Sequence, residues 1–219
     1  MKKSKKNSGK TNDENIRIVE EKIHPDVFSE FYLYMDDSYK KYEDMPHYKR
    51  EFVELARAGS IESYRKIESA ISSGNLPKEI KDFAIVALNH CRFKLENELL
   101  DVPTDMISGG LGGSNNRIRF ILVVVGKNGI TRDQFECIKR SFDKVTKERD
   151  SILEEIKMHD FYVSLIILGS FNYAYGEIIE SGISLCDFLK TDYYATNVEI
   201  PTDERIRDWL DGKLDQEGN

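Results

Sequence analysis

The sequence predicts a mixed α and β protein: a helical bundle in the N-terminal half, then a small β-α-β-α-β-α module carrying a three-stranded, mainly parallel sheet. Three observations predict it. Before residue 116 the apolar residues recur at helical spacing with no strand-like alternation. Residues 108–116 then break the pattern with Gly, Ser and Asn. Beyond them, three short apolar stretches alternate with amphipathic segments, the order that builds sheets with helical crossovers.

In the first half, Pro25 stands where a helix can begin, and Val27, Phe28, Phe31, Tyr32, Met35, Tyr39 and Tyr42 follow at helical spacing. Tyr48, Phe52 and Leu55 resume the stripe after Pro46. Gly59 followed by Ser60 reads as a helix-ending glycine handing over to a new N-cap. Ile61, Tyr64, Ile67 and Ile71 line a third helix, which ends at Gly74. Pro77 opens the best helix of this half, with Ile80, Ala84, Ala87, Leu88, Cys91, Leu95 and Leu99 stepping by threes and fours. This last helix, residues 77–100, is expected to cover the open face of the sheet. The helical region is bounded at 16–107, after a lysine-rich tail, 1–15, that is expected to be disordered.

Segment 108–116 contains Gly109, Gly110, Gly112 and Gly113, and is expected to act as a flexible hinge. The α/β module occupies 117–214, with a short tail at 215–219. Its first strand is Arg117 to Val125. Thr131 and Gln134 have the spacing of a capping box, with Ile130 and Phe135 in the staple positions around it. Phe135, Ile138, Phe142, Val145, Ile152 and Ile156 then extend the helical period, so that one helix of about 27 residues is expected. Phe161 to Leu168 is the second strand, and Ser170 or Asn172 caps a helix through Leu189. Tyr193 to Ile200 is the third strand, and Thr202 caps a last helix with Ile206, Trp209 and Leu210. A ferredoxin-like antiparallel arrangement is the main alternative, but it needs a fourth strand.

Composition narrows the function classes. The longest apolar run, Ile118 to Val125, is interrupted by Arg119 and falls far short of the ~20 residues that span a bilayer, so no membrane segment is expected. A cytoplasmic location follows as the expectation. The net charge is −7, but five of the 32 basic residues are Lys2, Lys3, Lys5, Lys6 and Lys10, leaving 27 against 39 acidic ones in the rest of the chain. A body of that sign is a poor polyanion binder, so RNA or ribosome association would rest on the lysine tail alone. Cys91, Cys137 and Cys186 stand in helical patterns without metal-type spacing and read as free buried thiols. His24, His47, His90 and His159 are isolated, so neither a metal nor another cofactor is expected. No motif compels a catalytic chemistry.

Two sites remain. The turn Gly126 to Thr131 joins a strand end to a helix N-terminus, so Lys127, Asn128, Gly129 and Thr131 could seat an anion. In a parallel sheet, Ser170, Asn172, Asn197 and Glu199 would open onto the same edge. The glycines at 109–113 follow a helix and precede a strand, the reverse of a dinucleotide fingerprint, and lack the ending of a P-loop. Tyrosines 32, 34, 39, 42 and 48 supply aromatic surface suited to a protein partner. The leading expectation is therefore a non-catalytic interaction or adaptor protein. The alternatives are a small enzyme or sensor for a phosphate-bearing metabolite at 126–131, and an RNA-associated protein using its tail.

Overall fold

The computed structural model describes residues 16–36, 45–100 and 105–213. The lysine tail, Tyr39, Tyr42 and the C-terminal tail lie outside them. The chain opens with strand β1 (Ile16–Ile18), followed by helices α1 (Pro25–Met35), α2 (His47–Ala58), α3 (Ile61–Ser72) and α4 (Lys78–Leu100). Helix starts and stops fall where local chemistry places them. Pro25 is the first residue of α1, Gly59 ends α2 in the left-handed region at φ 59°, and the Ser60 hydroxyl accepts the Ser63 N–H to cap α3. The apolar stripes of the four helices meet in one core, in which Phe31, Val53, Ala56, Ile67, Phe83 and Ala87 are fully buried. Phe31 and Phe83 pack edge to face, with ring centroids 5.5 Å apart.

Past α4 come β2 (Asp105–Ile107), β3 (Gly113–Ser114), β4 (Arg117–Val124), α5 (Arg132–Glu148), β5 (Ile152–Met158), β6 (Val163–Gly169), α6 (Tyr175–Ser184), β7 (Tyr194–Thr196) and α7 (Asp203–Leu210). The short strands β1 and β2 form a parallel two-stranded ribbon, where no strand was expected. The main sheet has five strands, and every pairing in it is antiparallel, which overturns the expected three-stranded parallel sheet. β4 pairs with β6 on one side and with β3 and β7 on the other, while β5 forms the outer edge beyond β6.

The physical cause of that difference is β5. The stretch expected to prolong α5 leaves the helix at Arg149, turns at Asp150 with φ 46°, and continues as a strand. A bulge between Leu153 and Glu155 shifts the register, so that Leu153 pairs with Ile167 and Ile156 with Leu165. Ile167 and Leu165 are two apart on β6 and share a face. The extra residue of the bulge therefore puts Leu153 and Ile156, three apart, on the same face, which imitates a helical step. With β5 counted as a strand, the chain reads β-α-β-β-α-β. β4 and β5 run parallel with β6 inserted between them, and β6 and β7 run parallel with β4 between them. This is the ferredoxin-like arrangement, its fourth strand now accounted for.

Both faces of the sheet are covered, by different helices than expected. Phe120, Leu122, Val124, Val163, Leu165 and Ile167 pack against α5 and α6 through Ile138, Phe142 and Ile179. On the reverse face, Val123 and Tyr162 meet Ile206 and Trp209 of α7. Helix α4, expected on that face, belongs instead to the core of the helical half.

The glycine-rich segment joins the two halves through close backbone packing. Gly109, Gly110, Gly112 and Gly113 are buried. A Cβ on Gly110 would lie 1.9 Å from the Val198 carbonyl oxygen, and one on Gly112, at φ 67°, 2.2 Å from that of Glu20. Hydrogen bonds run from Leu111 N–H to Asn197 O, from Gly113 N–H to Glu20 O and from Arg119 N–H to Gly112 O, at 2.9, 3.2 and 2.9 Å. Residues chosen by sequence as a hinge thus form the node where β1, β4 and β7 meet.

Candidate binding cleft

A concavity lies between the β1–β2 ribbon and α4. Its volume of about 760 Å³ falls within the ~300–1,000 Å³ of ordinary ligand pockets. One wall is five consecutive residues, Arg17 to Glu21. The strand ends at Ile18, and Val19 to Glu21 continue the wall past it. The register of the ribbon and the 3.0 Å bond from Val19 N–H to Ile107 O direct the ribbon bonds of Arg17 and Val19 toward β2. The N–H and C=O of Ile18 therefore point away from β2, and among the described residues no backbone group answers them. Farther along the same edge, Glu20 O is occupied by Gly113 N–H.

The opposite wall is a polar stripe on α4. Arg92 Nε donates to Glu96 Oε1 at 2.8 Å, and Arg17 Nε reaches Glu96 Oε2 from the ribbon at 3.4 Å. One turn earlier, Asn89 Nδ2 donates to Glu21 Oε2 at 3.4 Å. The Glu96 carboxylate raises the Arg92 guanidinium above its ordinary range, so its charge is secure. Phe93 and Met106 add apolar surface between the charges. The cleft thus offers extended backbone, both signs of charge and some apolar surface.

The two groups of residues expected to share an anion site lie at opposite ends of the sheet. The Lys127 amine donates to Asp187 O, its N–H donates to Phe188 O, and the capping box ties Thr131 to Gln134 in both directions. Asn128 and Gly129 are exposed in the turn. Because β6 is antiparallel to β4, with Ile118 opposite Gly169 and Val124 opposite Val163, Ser170 and Asn172 lie at the other end of the sheet. There the Ser170 hydroxyl accepts both the N–H and the side-chain amide of Asn172, and Ser170 N–H donates to Ser151 Oγ. Asn197, just past β7, does share that end, since β6 and β7 are parallel.

A second polar cluster closes the β5–β6 hairpin. His159 stacks on Tyr162 at 4.1 Å between centroids, and its Nε2 lies 2.9 Å from Ser164 Oγ. The Tyr162 hydroxyl donates to Asp203 Oδ1 at 2.7 Å, which fastens α7 to the hairpin. Burial and then the Asp203 carboxylate push the Tyr162 phenol up to about 12. His24 caps α1 through Nδ1, and His90 packs against the rings of Phe31 and Tyr32, where burial lowers its pKa. Among the described residues, no group of three or more His, Cys, Asp or Glu could hold a metal ion. Tyr32 and Tyr48 are exposed on the helical half, whereas Tyr34 packs on its core.

Nothing in the sequence pointed to the cleft. Its two walls are some 70 residues apart in the chain, and the only available signal was the Ile-Arg-Ile-Val run at 16–19, which is too short to stand out from a helical N-terminus. Among the described residues no helix is long and apolar enough to cross a membrane. No protein-family model matches the chain, and no curated protein matches it. Among solved structures, the crystal structure of "a putative transposase from Deinococcus radiodurans R1" aligns at 11% identity and a TM-score of 0.36, over 44% of this chain and 91% of that one.

Proposed function

We propose that this chain is a non-catalytic protein-interaction module that takes an extended segment of a partner polypeptide into the cleft, as an added strand on the free edge of β1. The reading is supported by the unbroken wall Arg17 to Glu21 along a cavity of about 760 Å³, on a ribbon whose Ile18 N–H and C=O point away from β2. Main-chain bonds to Ile18 would supply affinity, and Arg17, Arg92, Glu20 and Glu21 would select the partner's alternate side chains. A cytoplasmic setting belongs to the same reading.

The test is selection from a random peptide library on the wild-type chain, with Ile18→Pro and Arg92→Glu as counter-targets. Enriched peptides should bind wild type, lose binding to Ile18→Pro, which removes the outward N–H, and change sequence preference on Arg92→Glu. Peptides that bind both variants as well as wild type would overturn the assignment.

An anionic metabolite at Lys127, Asn128, Gly129 and Thr131 remains a weaker proposal, because the lysine amine and the helix cap already have intramolecular partners. Thermal shift with nucleotides and sugar phosphates, compared between wild type and Lys127→Ala, tests it. Association with RNA through Lys2, Lys3, Lys5, Lys6 and Lys10 concerns residues outside those described.

A further inference from the structure

The two walls of the cleft run in opposite directions. Arg17 starts one wall and meets Glu96, whereas Glu21 ends it and meets Asn89, two turns earlier on α4. An extended chain from Arg17 to Glu21 covers at most about 13 Å, and a helix from Asn89 to Glu96 covers about 10 Å, so the walls match in length. Arg92, Glu20 and Glu21 differ from the other charged residues of the cleft in what they leave open.

Arg92 lies one turn from Asn89 toward Glu96. It is held to Glu96 through Nε alone, and among the described residues its two Nη groups have no hydrogen-bond partner. Glu96 thus fixes the guanidinium while its two-pronged end stays open to the cleft. At the other end, Glu20 Oε1 accepts the Asn115 N–H at 3.0 Å and Glu21 Oε2 accepts the Asn89 side-chain amide at 3.4 Å. Both donors are neutral. Among the described residues neither carboxylate stands in an ion pair, and each keeps its second oxygen without a donor. Arg119 and Arg92 feel these charges only from beyond ion-pair distance.

We propose that the segment seated in the cleft carries one acidic and one basic side chain, two or four residues apart, with its carboxylate on the Nη groups of Arg92 and its cation on Glu20 and Glu21. This inference rests on the reading of the cleft as a peptide site and adds the class of peptide. A guanidinium with both Nη groups open holds a carboxylate by two parallel bonds. Side chains an even number of residues apart share one face of an extended chain, and at two or four residues they lie about 7 or 13 Å apart, within the span of the walls. Phe93 and Met106 lie along the same cleft and meet an apolar side chain of the segment. A segment with only one of the two charges covers the other group of the cleft without answering it, and a run of acids meets Glu20 and Glu21 at like charge; both are disfavoured.

The test selects displayed random peptides on the full chain and, separately, on Arg92→Glu and Glu21→Lys. Peptides enriched on the wild type should share an acid and a base at even spacing. On Arg92→Glu a base should replace the acid, and on Glu21→Lys an acid should replace the base, each without change at the other position. In a synthetic copy of an enriched peptide, alanine at either charge should weaken binding by roughly 2–5-fold, an effect that shrinks with added salt. Arg92 and Glu21 are both exposed, so unchanged melting of the two variants verifies their folding. Peptides that lose binding to Ile18→Pro yet carry no such pair of charges, or whose charges do not follow the two replacements, would overturn this inference and leave the peptide site standing. Enrichment of no peptide that Ile18→Pro weakens would overturn both.

Discussion

Two strand edges of this molecule are treated in opposite ways. β5 is the outer strand of the main sheet, and it carries several devices that discourage another strand from pairing with it. Its bulge at Leu153 to Glu155 breaks the ladder. Glu154 is drawn across the sheet into a two-pronged bond with Arg119, and Lys157 pairs with Glu155 along the strand. The stacked pair His159 and Tyr162 closes its far end. β1 has no bulge and only one charge among its three residues, and Arg17 and Ile18 line the cleft. The contrast teaches that the long edge of the main sheet is guarded against further pairing while the short edge of β1 is not, the difference on which the proposed peptide site rests.

The change expected to break this comparison most severely is Gly112→Ala. A side chain there meets both a positive φ and the Glu20 carbonyl, so the node that positions β1 cannot close. A loss of roughly 2–3 kcal/mol or more is expected in urea denaturation, together with loss of any cleft-dependent binding. A variant as stable as wild type would mean that the ribbon is not held by this packing. Next in size is Arg119→Ala. Arg119 and Glu154 are 14% and 29% exposed, and removing the guanidinium strands the carboxylate and releases the bulge. About 2 kcal/mol should be lost, with concentration-dependent self-association seen by sedimentation. A strictly monomeric variant would show that the bulge does not protect the edge.

Tyr162→Phe, which unfastens α7 from the closed end of β5, should cost about 1 kcal/mol. It also has a pH signature. Tyr162 and Tyr175 are pushed up to about 12 from an ordinary 10, so above pH 10 the unfolded chain releases these protons before the folded one does. Their contribution is fully present below pH 10 and is lost as pH rises toward 12. The alkaline decline should be shallower in Tyr162→Phe, and identical slopes in the two proteins would refute the linkage. The smallest stability effect belongs to Ile18→Pro, expected to stay within about 1 kcal/mol because the lost N–H points away from β2. If that variant unfolds, the outward direction assigned to Ile18 is mistaken.

Much of the helical half was legible because its signals are short-range. The handover from Gly59 to Ser60, the proline at the start of α1 and the spacing of Ile80, Ala84, Ala87 and Cys91 each depend on residues within a turn or two of one another. The same holds for the capping box of Thr131 and Gln134 and for the Thr202 cap of α7. The sheet was legible only in part. Strands β4 and β6 stood out as apolar runs, but β5 hid behind a bulge that turned a period of two into a step of three. Missing it removed the hairpin that inserts β6 between β4 and β5. The expected ligand edge followed from the wrong strand direction, and the cleft left no local pattern at all.

The sequence by itself determined where α1, α3, α5 and α7 start and where α2 stops, because a cap or a glycine turn is satisfied by groups three or four residues away. Only the tertiary structure decided the order of the strands, the role of the buried glycines and the existence of the cleft. Those depend on pairings such as Gly113 with Glu20, Arg119 with Glu154 and Arg17 with Glu96, across 35 to 93 residues. Each is worth little alone, and they become determinate only when the whole core closes around them.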